Sequence, residues 1–192
     1  MPRIETETLA QHRDWRRNQL IEAAASIALE SGGSAVTVAA VAQRAGLSRT
    51  SVYEYFGSSA DLIADLVLEE LNNFAQYLHK AVAHKDQPIE SISAWIQSAL
   101  TYIADGRHLL AKALNATSLP QERSAAIGAA HRALLAPLVT GLAAMGIKDT
   151  QRALLFIQAI TDASTKRIEG GHDAEAEIKS ATAFCIAGLS SI

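Results

Sequence analysis

The sequence predicts an all-α protein of about nine helices, on three observations. Alanine, the strongest helix former, occurs 37 times in 192 residues, whereas aromatic residues make up only 5%. Apolar residues, 49% of the chain, recur at three- and four-residue steps in one segment after another, which is the spacing of a helix face. Proline, which breaks helix interiors, occurs only four times. This much apolar chain excludes intrinsic disorder. The single cysteine, Cys185, excludes an intrachain disulfide and a cysteine-rich metal site. No apolar run reaches the ~18 residues of a membrane span, and the polar start Met-Pro-Arg-Ile-Glu-Thr has no secretory core. A soluble, cytoplasmic protein without membrane contact is expected.

Residues 1–12 show no periodicity and read as an arm. From Asp14 a helix is expected, with Leu20, Ala24, Ile27 and Ala28 on one face and Ser31-Gly32-Gly33-Ser34 as its stop. Thr37 then caps a short helix whose Val38, Val41 and Ala42 share a face. Gly46 closes that helix, and Leu47 drops towards a core. Ser48 caps another short helix, with Val52 and Phe56 inward and Arg49, Thr50, Ser51, Tyr53 and Tyr55 elsewhere. Two short helices joined by a tight glycine turn form a helix-turn-helix pattern.

After Gly57, Ser58-Ser59-Ala60-Asp61 resembles a capping box with Asp in place of the usual Glu or Gln. A long helix follows to about His84, marked by Ile63, Val67, Leu71, Phe74, Leu78 and Val82. Helices are expected over residues 89–104 and 107–116, and another after Pro120 with a kink or break at Pro137. The last two segments, residues 149–169 and 174–190, are apolar on more than one side. Leu154, Leu155, Phe156, Ile157 and Ile160 cover a wide arc of the first. Ile178, Ala181, Phe184, Cys185, Ile186 and Leu189 do so in the second. Helices this apolar are either core or the contact with a twin chain. For the twin, Phe156, Ile160, Ile178, Phe184, Cys185 and Leu189 are the candidate interface.

Thr37-Val38, Val41-Ala42, Ala45-Gly46-Leu47-Ser48, Val52-Tyr53-Glu54-Tyr55-Phe56 and Asp61-Leu62 resemble, in order and spacing, the DNA-binding signature of the TetR family of bacterial transcriptional regulators. Beyond residue 62 the likeness is one of architecture and length, although residues 146–170, with Asp162-Ala163 in the middle, are similar to the penultimate family helix. The resemblance implies a three-helix DNA-binding head, residues 1–57, and a helical effector-binding and dimerisation body, residues 58–192. It also implies a homodimer that represses by binding a palindromic double-stranded DNA operator and is released by a small-molecule effector. By the same analogy Thr37, Tyr53 and Tyr55 meet the DNA backbone, and Ser48, Arg49, Thr50 and Ser51 lie closest to the bases.

The chemistry of these residues agrees. A helix entering the major groove needs small polar and basic side chains at its leading end. Arg49 can reach a phosphate or a guanine edge, Thr50 and Ser51 can bond bases or phosphate, and tyrosine hydroxyls can hold the backbone. The first amides of the helix after Thr37 can face a phosphate. Two features depart from the family pattern: Gly57-Ser58-Ser59 stands where a lysine often follows the aromatic motif, and Glu54 puts an acid on the reading helix. The net charge of −3 divides unevenly. Residues 1–57 hold six Arg and six acidic residues, net zero, and residues 58–192 hold eleven basic and fourteen acidic ones, net −3. A neutral head predicts a gentle salt dependence.

The body holds no catalytic set. Its histidines form no His-x-x-x-His pair, and no nucleophile elbow is present. No enzyme activity, metal or cofactor is expected. Trp95, Tyr102, His108, Asn115, Gln158 and Asp162, polar or aromatic groups among apolar helices, are the candidate ligand residues for an apolar or amphipathic effector. Two other readings stay open: an architectural DNA binder without a ligand, and an all-helical enzyme with an incidental helix-turn-helix.

Overall fold

The computed structural model describes residues 9–114 and 119–190, which form nine α-helices and two short 3₁₀ turns without a strand among the described residues. The chain packs as two units. One takes in Met1–Glu70 and Leu109–Ile127, the other Leu71–His108 and Gly128–Ile192. Both are discontinuous in sequence, and helices α4 (Ser59–Val82) and α7 (Ser124–Ala144) are each shared along their length.

The first unit contains α1 (Leu9–Ser31), α2 (Val38–Ala45), α3 (Arg49–Tyr53), the first half of α4 and α6 (Leu109–Leu114). Helix α1 begins ahead of the expected Asp14. Its first turns carry exposed Arg13, Asp14 and Trp15, and burial starts only at Leu20, so no apolar rhythm announces the early turns. It stops at Gly32, which takes φ 82 and closes on the Ala28 carbonyl at 2.8 Å. Leu20, Ala24 and Ile27 of α1 bury against Val38, Val41, Val52, Phe56 and Leu62, and Leu114 of α6 joins the same core. Arg17 spans α1 to α4, with Asp65 at 2.7 Å and the Phe56 ring 5.6 Å away, and Arg123 adds a second bond to Asp65 at 3.1 Å.

The second unit contains the rest of α4, α5 (Pro88–Ala104), most of α7, α8 (Thr150–Glu169) and α9 (Ala174–Leu189). Asp149 and Asp173 cap α8 and α9, accepting from the Arg152 and Ala176 amides at 3.0 and 2.7 Å. Leu78, Ile92, Ile96, Leu138, Leu142 and Ile157 make the centre of its core. Helices α5 and α7 approach closely at Gly141, where a Cβ would lie 2.9 Å from Ile92 Cγ1.

Two expectations around proline are corrected. After Pro120 comes a 3₁₀ turn, Gln121–Arg123, and α7 starts only at Ser124. Pro137 does not break α7, which runs through it. Proline cannot donate to the carbonyl four residues back, Ala133, and the His79 Nε2–H donates to that oxygen instead, at 3.2 Å. One residue on, the Trp95 indole N–H donates to the Leu134 carbonyl at 3.1 Å.

Candidate functional site

The turn between α2 and α3 is fixed by its own side chains and backbone. Thr37 Oγ1 accepts from the Ala40 amide at 3.1 Å, and Ser48 Oγ from the Ser51 amide at 3.0 Å. Gly46 takes φ 68, and the Leu47 amide reaches back to the Ala42 carbonyl at 2.9 Å. Val52 and Phe56 are buried and pin α3 to the core, so its other side must face outward. Arg49, Thr50 and Tyr53 are exposed, Tyr53 by 56%; Thr37 and Ser48 are exposed at the two caps. Ser51 is half-buried with its hydroxyl 2.9 Å from that of Ser48, and half-buried Tyr55 packs against the core. The resulting surface is small, hydroxyl-rich and carries one guanidinium, with exposed Glu54 at its trailing end.

Several supports of this surface were invisible in sequence spacing. The Val38 amide, first of α2, donates to Ser59 Oγ at 3.0 Å, so one of the amides offered to a phosphate is already occupied. Arg44 grips Glu30 with both terminal nitrogens, at 2.8 and 2.6 Å, and also donates to Ser26 Oγ. The hydrogen bond from Arg44 holds the Glu30 carboxyl down at about 2. Arg44 thus braces α2 against α1 across fourteen residues of sequence. Ser58 Oγ accepts the Asp61 amide at 3.1 Å and donates to Asp61 Oδ2 at 2.8 Å, starting α4 directly after the aromatic motif.

In the second unit the structure scatters the candidate ligand residues. Trp95 is buried with its N–H on Leu134, and buried Tyr102 stacks on Phe74 at 4.3 Å with Tyr77 at 5.4 Å. His108 Nε2 lies 2.8 Å from Glu169 Oε1. Gln158 is half-buried and Asp162 exposed, while Asn115 lies outside the described residues. A hollow of about 400 Å³ between α8 and α9 holds none of them. It is lined by Phe156, Ile160, Phe184, Cys185 and Leu189, five of the six candidate interface residues; Ile178 packs against the core instead. Phe156 and Phe184 are 58% and 70% exposed, and burial pushes the Cys185 thiol up to about 11. No cluster of three or more metal-ligating side chains occurs among the described residues. One segment, Gln121–Ala144, is long and apolar enough to span a membrane by length and composition; alanines supply much of its hydropathy, and its Leu134, Leu138 and Leu142 are buried.

Residues 20–66 match the family of bacterial regulatory proteins described as the tetR family. A curated relative, the HTH-type transcriptional regulator BetI of Brucella canis, is 35% identical over 96 residues, 50% of this chain and 46% of that protein. The chain therefore spans about half the length of the curated relatives it matches. Among solved structures, the transcriptional regulator FadR from Bacillus subtilis in complex with stearoyl-CoA superposes with a TM-score of 0.72 at 22% identity, covering 89% of this chain and 98% of that one. A tetR family transcription regulator from Shewanella sp. PV-4 gives 0.71 at 16% identity, covering 90% and 97%. At these identities the likeness is one of fold.

Proposed function

We propose that the chain, whose residues 20–66 match the tetR family of bacterial regulatory proteins, is a member of that family and acts as a ligand-responsive transcriptional repressor. The carrying observation is the outward face of α3: Arg49, Thr50 and Tyr53 exposed on a helix whose Val52 and Phe56 are locked in the core. Thr50 and Arg49 read base edges, with Ser48 and Ser51 beside them, and Thr37, Tyr53 and Tyr55 hold phosphates. The acting form is a homodimer joined through α8 and α9, whose apolar hollow and exposed phenylalanines a twin chain covers. Its two-fold axis sets two copies of α3 in successive major grooves of a palindromic operator.

The second unit takes a small apolar or amphipathic effector, with Trp95, Tyr102, His108, Gln158 and Asp162 as its candidate residues there. In support, a protein of this fold was solved holding stearoyl-CoA. Effector binding favours the DNA-incompetent state by tilting α4, which runs from the head into the body, and so changes the spacing of the two heads. The test is fragment selection from genomic DNA followed by gel shift. Wild type retains a palindromic fragment and Arg49→Ala does not; retention of no specific fragment by wild type sinks the reading. An architectural binder would retain DNA whatever small molecule is added.

A further inference from the structure

The loop that ends α5 lays a guanidinium on an aromatic pair, at a position that normally does something else. Gly106 takes φ 74 and its amide bonds to the Ile103 carbonyl at 2.9 Å. The Arg107 amide reaches back to the Tyr102 carbonyl at 3.2 Å. In this helix ending the residue after the glycine commonly seals the helix with an apolar contact to the residue whose carbonyl it meets. Here the contact is made by a cation. The Arg107 guanidinium carbon lies 5.7 Å from the Tyr102 ring centre and 5.0 Å from that of Tyr77. Phe74, stacked on Tyr102 with 21° between the ring planes, steadies the pair. Asp105 Oδ2 is 3.7 Å from Arg107 Nε, beyond hydrogen-bond reach yet near enough to add negative potential. The Arg107 side chain is half in water, so it leaves the rings without losing a buried bond.

Two tyrosine faces and a carboxylate converging on one point recognise organic cations. The geometry points to a site for an amphipathic ammonium compound, tertiary or quaternary, that Arg107 occupies in the ligand's absence. The ligand's charged head takes the place of the guanidinium on Tyr77 and Tyr102 and faces Asp105, and Arg107 swings into solvent. This rests on the reading of the second unit as an effector binder and gives that effector its charge. A neutral compound of equal size gains nothing from the ring quadrupoles.

Calorimetric titration of the full chain with tetraethylammonium, without DNA, tests the site, and tert-butanol serves as the neutral control. Saturable binding of the cation alone is expected. Arg107→Gln, which removes the competing charge, tightens it about fivefold, Tyr77→Phe keeps it, and Tyr77→Leu weakens it about tenfold. Equal binding by the Phe and Leu variants, or no saturable binding by either wild type or Arg107→Gln, overturns the proposal. If Tyr77→Leu fails to fold, Asp105→Asn at an exposed position carries the same question, with about threefold weaker binding expected and an unchanged Kd counting against the site. Operator retention is measured separately. Binding through Tyr77 without DNA release leaves the site standing and removes its effector role. No cation binding, with release by an uncharged amphiphile, removes the site and leaves the effector reading intact.

Discussion

The outward face of α3 and the outward face of the α8–α9 pair are both uncovered in this chain, and they are made of opposite materials. The first is hydroxyls, a guanidinium and a phenol, set by caps at Thr37 and Ser48 and by two buried anchors. The second is phenylalanine and aliphatic side chains around a hollow, with no polar group fixing direction. A polar face must be held in exact register to be useful, since its hydrogen bonds fail over fractions of an ångström. An apolar face works by area and tolerates small shifts. The contrast suits the first face to the reading, and the second to the self-association, proposed above.

The apolar face can be broken most severely. In the proposed dimer, Phe184→Asp puts one charge per copy on this face while sparing the core, because the side chain is mostly exposed. Dimerisation is expected to weaken on the order of a hundredfold or more, with operator affinity falling alongside. Sedimentation across a concentration series measures it, and an unchanged dimer would assign the face to another purpose. On the polar face, Arg49→Ala is expected to cost about 1–3 kcal/mol of operator binding and to leave dimerisation alone. The shape of the salt titration sharpens this. The head, residues 1–57, is net neutral, so the wild-type slope should be shallow, and a steep one would reassign affinity to phosphate neutralisation.

A smaller effect is expected at the cap. Ser48→Ala removes the acceptor for the Ser51 amide and should lower stability by about 1 kcal/mol in a denaturant melt, with a larger loss in DNA binding than in folding. The smallest is the Glu30–Arg44 brace. The folded carboxyl sits at about 2, below its ordinary 4.5, so the pair stabilises the fold above the unfolded value. That contribution is lost as pH falls from about 4.5 through about 2. Thermal melts across this window should converge for wild type and Arg44→Gln at the acid end. A constant gap between them would show that the brace acts by packing alone.

Much of the fold was legible because its signals are local. Thr37, Gly46, Ser48 and Ser58 cap or stop helices within four residues of themselves, and each does so in the structure. Val52 and Phe56 fall on the buried side by spacing alone. What escaped is non-local. The Val38–Ser59 bond, the Arg44–Glu30 grip and the inclusion of residues 109–127 in the first unit join positions with no periodic relation. The helical start of α1 escaped for a different reason, since turns that bury nothing leave no hydrophobic trace. In the second unit, aromatic and polar residue types marked Tyr102 and His108, but composition could not say that Tyr102 meets Phe74, Tyr77 and Arg107.

The proline inside α7 ties two distant positions into one evolutionary unit. His79 mends the rung that Pro137 leaves open, so the order of substitution matters. With Pro137→Ala first, the helix regains its own donor and His79 becomes free to drift. With His79→Ala first, the Ala133 carbonyl loses its partner while proline still stands, and stability falls. The cost of His79→Ala should therefore shrink in the Pro137→Ala background in a double-mutant melt, and related sequences should keep a donor at position 79 chiefly where position 137 is proline.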